Sequence, residues 1–301
     1  MATMLPKVSI GLPVFNGENY ISECIESILD QTYNNFELII SDNASDDKTE
    51  LICKKYANLD KRVRYLRNKK NIGAGPNFNK TFYKSNGEYF RWMAHDDLCH
   101  SEYLEECLKV LEEDRSIVLC HSKTQFIDEN SEAIEHGDVL LSQCNLEKVA
   151  DRFREVIAYD HWCIEVFGLI RKEALRRTKL IANYVGSDRN LLADLCLMGK
   201  FHQIPKILFY HREHSKRSVS NNTIHERAEW WNPGLANKIT MPFFRALFEY
   251  FCSVNRSSID LKEKGECYLS LLSWLSQNWK NLYWDTKVVA KKYTIKKWSE
   301  N

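Results

Sequence analysis

"VSIGLPVFNGENYISECIESILDQTYNNFELIISDNASDDKT", Val8–Thr49, holds two short apolar runs on either side of a helical repeat. Lys7–Pro13 is apolar with β-branched residues and predicts a strand. Ile21, Ile25, Ile28 and Leu29 recur close to helical spacing and predict a helix over Glu18–Thr32. Phe36–Asp42 predicts a second strand that ends in polar residues.

The alternation continues outward from this stretch. Ser45–Ala57 reads as a helix, with Ser45 or Asp46 as N-cap and acids in its first turn. Val63–Asn68, Tyr89–His95 and Ile117–Ser122 read as strands, and Asn77–Ser85 and Ser101–Glu113 as helices. This order predicts an α/β protein with a mostly parallel central sheet flanked by helices. Such sheets bind ligands at the carboxyl ends of their strands. "PVFNGE", "SDNASDD" and "AHDD", which follow the first, second and fourth strands, are therefore expected on one rim.

The second half is less regular. Trp162–Leu175 reads as a strand followed by a short helix from Lys172. Ser187–Gly199 reads as a helix with Ser187 or Asp188 at its start and Gly199 at its end. His202–Ser215 is an apolar run ending in a polar cluster. The expected division is a catalytic unit over 1–222, with a nucleotide half at about 1–122 and an acceptor half at about 123–222. Residues 223–301, rich in Trp, Leu and Lys, read as a C-terminal helical extension.

Composition narrows the function classes. Of 301 residues, 44% are hydrophobic and 28% charged, ordinary for a soluble globular chain. A net charge of +1 supplies no global basic field for nucleic acid. The ten cysteines contain no CxxC pair, which argues against a zinc knuckle or disulfide framework and for reduced thiols in the cytoplasm. Met1–Pro13 has no signal-peptide apolar region. No run approaches the ~18 apolar residues that span a bilayer. Met241–Val254 is interrupted by Arg245 and Glu249 and reads as an amphipathic or buried helix. Lys287–Trp298 interleaves basic and aromatic residues, which suits either a solvated helix face or peripheral contact with the inner face of a membrane.

The expected rim carries Asn16, Glu18, Asp42, Asn43, Asp46, Asp96 and Asp97. Acids and amides suit a sugar, a ribose or a hydrated divalent cation, and repel a bare polyphosphate unless a cation intervenes. Neither GxxxxGK[ST] nor GxGxxG occurs.

These segments, together with "NKKNIGAGPNFN" and "GEYFRWMAHDD", resemble an inverting glycosyltransferase of family 2 with the GT-A nucleotide-sugar fold. The likeness runs in order over about residues 7–220. It implies that Pro13, Val14, Phe15, Asn16 and Glu18 lie against the nucleoside. It also implies that Asp42 bonds the base, beside Asn43 and Ser45, and that Asn71, Gly73 and Asn79 flank base and ribose. "AHDD" stands at the family's DxD region, with Ala94 where the first Asp is often found. The resemblance leaves His95 and Asp96 beside the nucleotide and Asp97, Asp96 and His214 as ligands of Mn²⁺ or Mg²⁺. An N-terminal cap for the following helix is the plainer use of Asp96 and Asp97.

In the family an acid at a helix start is the catalytic base, which here is Asp188, with Asp194 as the rival. "R-x-H-x-x-S" matches Arg212, His214 and Arg217, expected on the diphosphate. A zinc site from His211 and His214 is the lesser reading. Trp230 and Trp231 either stack on a sugar or pack the helical extension against the core. The implied function is metal-dependent inverting transfer of a sugar from a UDP, GDP or dTDP donor to a saccharide or lipid-linked acceptor. The alternatives are an inactive nucleotide-sugar binding module and a sugar nucleotidyltransferase. The latter usually carries a Gly-rich basic loop after the first strand, which "PVFNGEN" lacks.

Overall fold

The computed structural model describes residues 5–136, 141, 144–158, 161–215, 231, 234 and 241–299, with 290–299 as backbone. Its first half builds β1 (Val8–Val14), α1 (Ile21–Leu29), β2 (Phe36–Asp42), α2 (Thr49–Leu59), β3 (Val63–Arg67), α3 (Ala74–Tyr83) and β4 (Tyr89–Trp92). Then come β5 (Leu98–Cys99), α4 (Tyr103–Glu113), β6 (Ile117–Ile127), β7 (Ala133–Ile134) and α5 (Val149–Ala158). A 3₁₀ turn (Ile164–Phe167) leads into β8 (Leu169–Arg171), α6 (Lys172–Arg176), α7 (Ser187–Cys196) and β9 (Lys200–Arg212). Two helices close the chain, α8 (Pro242–Arg256) and α9 (Leu261–Ser299).

Among the described residues the strands form one sheet in the order β3-β2-β1-β4-β8-β6-β9-β5, with β7 beside β6. β3, β2, β1 and β4 are parallel, as their helical crossovers require. The expected central sheet flanked by helices is present, and β8, β5 and β7 join it antiparallel. β8 inserts antiparallel between β4 and β6, so the fourth and fifth predicted strands are not neighbours. β6 and β9 then run parallel, and β6 reaches five residues beyond the predicted Ser122.

Every residue of β1 and β2 is buried, because helices cover both faces. Val8, Ile10, Leu12 and Val14 face one core with Ile21, Ile25 and Leu104. The other face of β1 presents Ser9 and Gly11. A Cβ on Gly11 would strike Thr81 and the Phe90 ring, so the missing side chain lets α3 lie close against the strand.

The C-terminal helices are less separate than the expected extension. Tyr250 and Val254 of α8, and Cys267, Leu271, Trp274 and Leu282 of α9, share one apolar cluster with Phe153 of α5 and Leu191, Leu192, Ala193 and Leu195 of α7. All ten cysteines are free, and nine are buried.

Candidate active site

The loop after β1 is laced to the loop after β2. Asn16, with φ 54°, donates its N–H to Ser45 Oγ at 2.9 Å and accepts the Asp46 N–H at 3.0 Å. Asn tolerates this left-handed conformation better than most residues. The Gly17 N–H donates to Thr49 Oγ1, and a Cβ on Gly17 would collide with the His95 ring. Glu18 accepts the Lys48 N–H at 3.1 Å, on the exposed outside of this lacing. α2 accordingly starts at Thr49, after Lys48, rather than at Ser45 or Asp46, whose polar atoms serve the loop.

Asp42 was expected against a base, but its carboxylate is fully buried beneath the loop. It accepts the Ser45 N–H (2.8 Å), the Tyr65 hydroxyl (2.6 Å) and Arg67 Nη1 (2.5 Å). Burial pushes its pKa up, but the hydrogen bonds from Ser45, Tyr65 and Arg67 outweigh that and leave it lowered. Arg67 also donates to the Ser45 carbonyl. Asp42 and Ser45 thus shape the loop instead of lining the cleft beside it.

Amides line that side of the cleft. Asn43 Nδ2 donates to Asn71 Oδ1 at 2.9 Å and to the carbonyl of Gly73, whose φ is 87°. Asn77, unmarked in the sequence reading, lines the cleft while exchanging hydrogen bonds with Ser41 at 2.8 Å each way. Asn79 faces away from the cleft and clamps the Ile181 backbone through both amide atoms, at 2.8 and 3.1 Å.

The cleft has a volume of about 780 Å³ and runs along the carboxyl rim of the parallel strands. Pro13, Val14, Phe15, Asn16, Asn43 and Asn71 line one end. Ala94, His95, Asp96, Tyr20 and His214 line the middle, and Asp188, Arg189, Trp162 and Trp231 the remainder.

At the middle, Asp96 Oδ2 lies 3.0 Å from His214 Nε2, and His214 packs on the Tyr20 ring at 4.9 Å. Burial pushes the Asp96 carboxyl up, but His95, His214 and His211 together hold it well below the usual carboxylate range. Asp97 was expected among the metal ligands. It is fully buried below the cleft, where Oδ1 accepts the Arg212 N–H at 2.9 Å and lies 3.0 Å from His211 Nδ1. Its Oδ2 is buried without a hydrogen bond, a desolvation that a cation nearby would offset.

Arg212 was expected on a diphosphate, yet it is a buried strut. It donates to the Asp96 carbonyl, the Asp128 carbonyl, Ser131 Oγ and Glu23, and its guanidinium lies 4.7 Å from the Tyr20 ring. Arg217 and Trp230 lie outside the described residues.

Among the described residues no three His, Cys, Asp or Glu side chains are grouped to hold a metal ion. His211 and His214 turn to different aspartates, which disfavours a zinc pair. Asp96 and His214 offer a carboxylate and an imidazole to a divalent cation that takes its other ligands from water and diphosphate oxygens.

The far end is built around the start of α7. Gly186 is the N-cap residue, with φ 84°, and Asp188 stands in the first turn rather than at the cap. Its Oδ1 accepts the Arg189 N–H at 2.8 Å. Asp194 is spent elsewhere: it holds Arg256 of α8 at 2.9 and 3.2 Å and is buried outside the cleft. Arg189, Trp162 and His95, which also line the cleft, stand at no motif position that would have marked them, His95 excepted.

Residues 9–183 match the family model described as Glycosyl transferase family 2. An uncharacterised glycosyltransferase of Methanocaldococcus jannaschii is 32% identical over 214 residues, covering 69% of this chain and 71% of the relative. An uncharacterised glycosyltransferase of Rickettsia typhi is 38% identical over 133 residues, 44% of this chain. That match spans only 41% of the Rickettsia relative's length. Among solved structures, S. aureus TarS 1–349 in complex with UDP-GlcNAc superposes with a TM-score of 0.70 at 16% identity, covering 91% of this chain and 73% of TarS. A Pyrobaculum calidifontis mannosyltransferase in complex with GDP-Man and Mn²⁺ gives 0.57 at 15% identity, covering 97% and 76%. At such identities these two likenesses establish the fold, which is of the GT-A type.

Proposed function

Because the chain belongs to glycosyl transferase family 2 and is a glycosyltransferase, we propose that it transfers one sugar, with inversion, from a nucleoside-diphosphate sugar to an acceptor hydroxyl. The observation that carries this reading is a single cleft lined both by Asp188 and by the Asp96–His214 pair. The nucleoside lies against Pro13–Asn16, Asn43 and Asn71, with Asn77 added to the expected set. Asp42, Ser45, Gly73 and Asn79 hold these loops in shape. The diphosphate lies beside His95, Asp96 and His214. UDP and GDP donors are favoured by the names of the structural neighbours, and dTDP remains in the set.

In the step, Asp188 takes the proton of the acceptor hydroxyl as that oxygen bonds to the anomeric carbon. The bond from this carbon to the diphosphate oxygen breaks, and its electron pair leaves with the nucleoside diphosphate. The attack comes from the opposite face, so the configuration inverts. Asp188 then returns the proton to solvent. A bound Mn²⁺ or Mg²⁺, held by Asp96 and His214, would supply positive charge for the departing diphosphate.

The acceptor is a saccharide or a lipid-linked saccharide. No helix among the described residues is long and apolar enough to cross a membrane. Peripheral contact is supported by α9, where exposed Trp279, Tyr283 and Trp284 adjoin Lys280 and Lys287. Interfacial rings beside lysines suit an anionic lipid surface.

The test is a thermal-shift series with UDP, GDP and dTDP in Mn²⁺ and in EDTA. A nucleotide at ~100 times its Kd adds ~2.7 kcal/mol, so a shift of several degrees is expected with one of them in Mn²⁺. The shift should shrink in EDTA and in Asp96→Ala. No shift with any of the three would contradict the donor site.

A further inference from the structure

We propose that Trp162 is the platform of the acceptor subsite, and that the acceptor presents a pyranose ring to it. The inference rests on reading Asp188 as the base of the transfer.

Trp162 is 42% exposed, yet its immediate surroundings are built to hold it. The residues on both sides are anchored inward. His161 and Cys163 are 2% and 5% exposed. His161 Nδ1 lies 3.2 Å from the Cys163 nitrogen and 3.5 Å from Glu165 Oε2, and its Nε2 lies 3.2 Å from the Val156 carbonyl. Cys163 has φ 59°, a left-handed conformation costly for a residue with a Cβ. That turn sends Trp162 outward between two buried neighbours.

Its ring is also braced from behind. His136 meets it edge to face at 4.6 Å and 73°, Phe126 at 5.7 Å and 88°, and His211 at 6.4 Å and 74°. His136 and Phe126 stack on each other at 4.0 Å, and His211 stacks on Phe209. A large apolar ring so fixed, and still open on the cleft, is positioned to receive something flat and apolar.

Two placements assign that partner. Arg189 Nη2 donates to the His161 carbonyl at 2.6 Å, so the residue after Asp188 ties down the residue before Trp162. The aromatic face therefore belongs to the Asp188 end of the cleft. The nucleoside end is too distant to share it. Trp162 rests on Phe126 of β6 and His211 of β9, whereas Asn43 follows β2, four strand steps away from β6 in the sheet. At about 4.8 Å per step that is roughly 19 Å along the sheet. Trp162 thus stands away from the nucleoside end and beside Asp188, on the acceptor side of the proposed transfer. The flat apolar surface that carries a nucleophilic hydroxyl at its edge is the C–H face of a pyranose. An open-chain polyol or a serine side chain offers no such face.

Saturation-transfer NMR on the full chain with UDP or GDP and Mn²⁺ reads this directly. The probes are methyl pyranosides of glucose, galactose, mannose and N-acetylglucosamine, with glycerol and ribitol as ring-free controls. The wild type should saturate ring protons of at least one pyranoside and leave the polyols dark. Trp162→Ala should weaken that pyranoside about tenfold, as loss of one aromatic stack implies, while Trp162→Phe keeps most of the contact. No pyranoside contact in the wild type, or equal contact in Trp162→Ala, overturns the inference. Calorimetric titration with UDP or GDP and Mn²⁺ reads the donor half separately. Absent nucleotide binding with intact pyranoside contact indicts the donor reading and not Trp162.

Discussion

Asp42 is the residue on which the Pro13–Asn16 wall of the cleft rests. Its carboxylate takes three hydrogen bonds, from Ser45, Tyr65 and Arg67, with no exposure to water. The folded pKa is lowered below 3.8, against the opposing effect of burial. The contribution to stability is therefore complete above pH 3.8 and is lost as pH falls through the lower folded value. Asp42→Asn should cost about 1–3 kcal/mol near pH 7, since it weakens charge-assisted hydrogen bonds in a buried site. The gap to the wild type should narrow near pH 3 in urea unfolding, and equal midpoints at pH 7 would contradict this role. An acid that closes an apolar run is legible in sequence as a residue with a task. Which task is not legible, because Arg67 reaches Asp42 only through the β2–β3 register that pairs them. Asp97 and Arg212 repeat the lesson. Both stand in a rim motif, yet Asp97 accepts the backbone N–H of Arg212, 115 residues away in the chain, and the Arg212 guanidinium is spent on Asp96, Asp128, Ser131 and Glu23. Trp162 had no signal at all: its exposure depends on His161 and Cys163 being buried around it.

At the scale of elements, the unit β1–α1–β2 was readable because each part carries its own period. Strands buried on both faces give continuous apolar runs, and α1 shows its apolar stripe at Ile21, Ile25 and Ile28. Of the strand expected from Trp162 to Lys172 only Leu169–Arg171 forms β8, since Ile164–Phe167 is a 3₁₀ turn, and three residues carry no record of their insertion between β4 and β6. The start of α2 slipped for a chemical reason: Ser45 and Asp46 serve the loop, so Lys48 occupies the cap position, whereas α7 starts at Ser187 as expected and ends at Cys196, short of Gly199. The contact of α3 with β1 depends on Gly11. Gly11→Ala should cost about 1–3 kcal/mol, because the new methyl must displace Thr81 and Phe90 from a packed face. An unchanged urea midpoint in that variant would show that α3 does not need the close approach.

Among the described residues one sheet carries a core on each face, and the C-terminal helices complete one of those cores. α8 is tied to the α7 side by Arg256–Asp194 and Lys179–Glu249 as well as by packing. The helical character of Pro242–Arg256 and Leu261–Ser299 was legible from periodicity, but their share in the core was not. The outer side of α9 keeps Leu269, Leu272, Trp279 and Tyr283 exposed. With Lys280 and Lys287 beside the rings, this surface should bind phosphatidylglycerol vesicles more than phosphatidylcholine ones, and less as salt rises. Equal sedimentation with both lipids, or self-association of the chain in place of binding, would contradict a lipid partner. The central claim is that one cleft binds the donor and activates the acceptor through Asp188. It is met most directly by Asp188→Asn, assayed for nucleotide binding by calorimetry and for turnover of UDP-GlcNAc and GDP-Man. The account predicts unchanged affinity for the nucleoside diphosphate with Mn²⁺ and a turnover lower by about 10²–10⁴-fold, the usual contribution of a general base. Full turnover in that variant would contradict it.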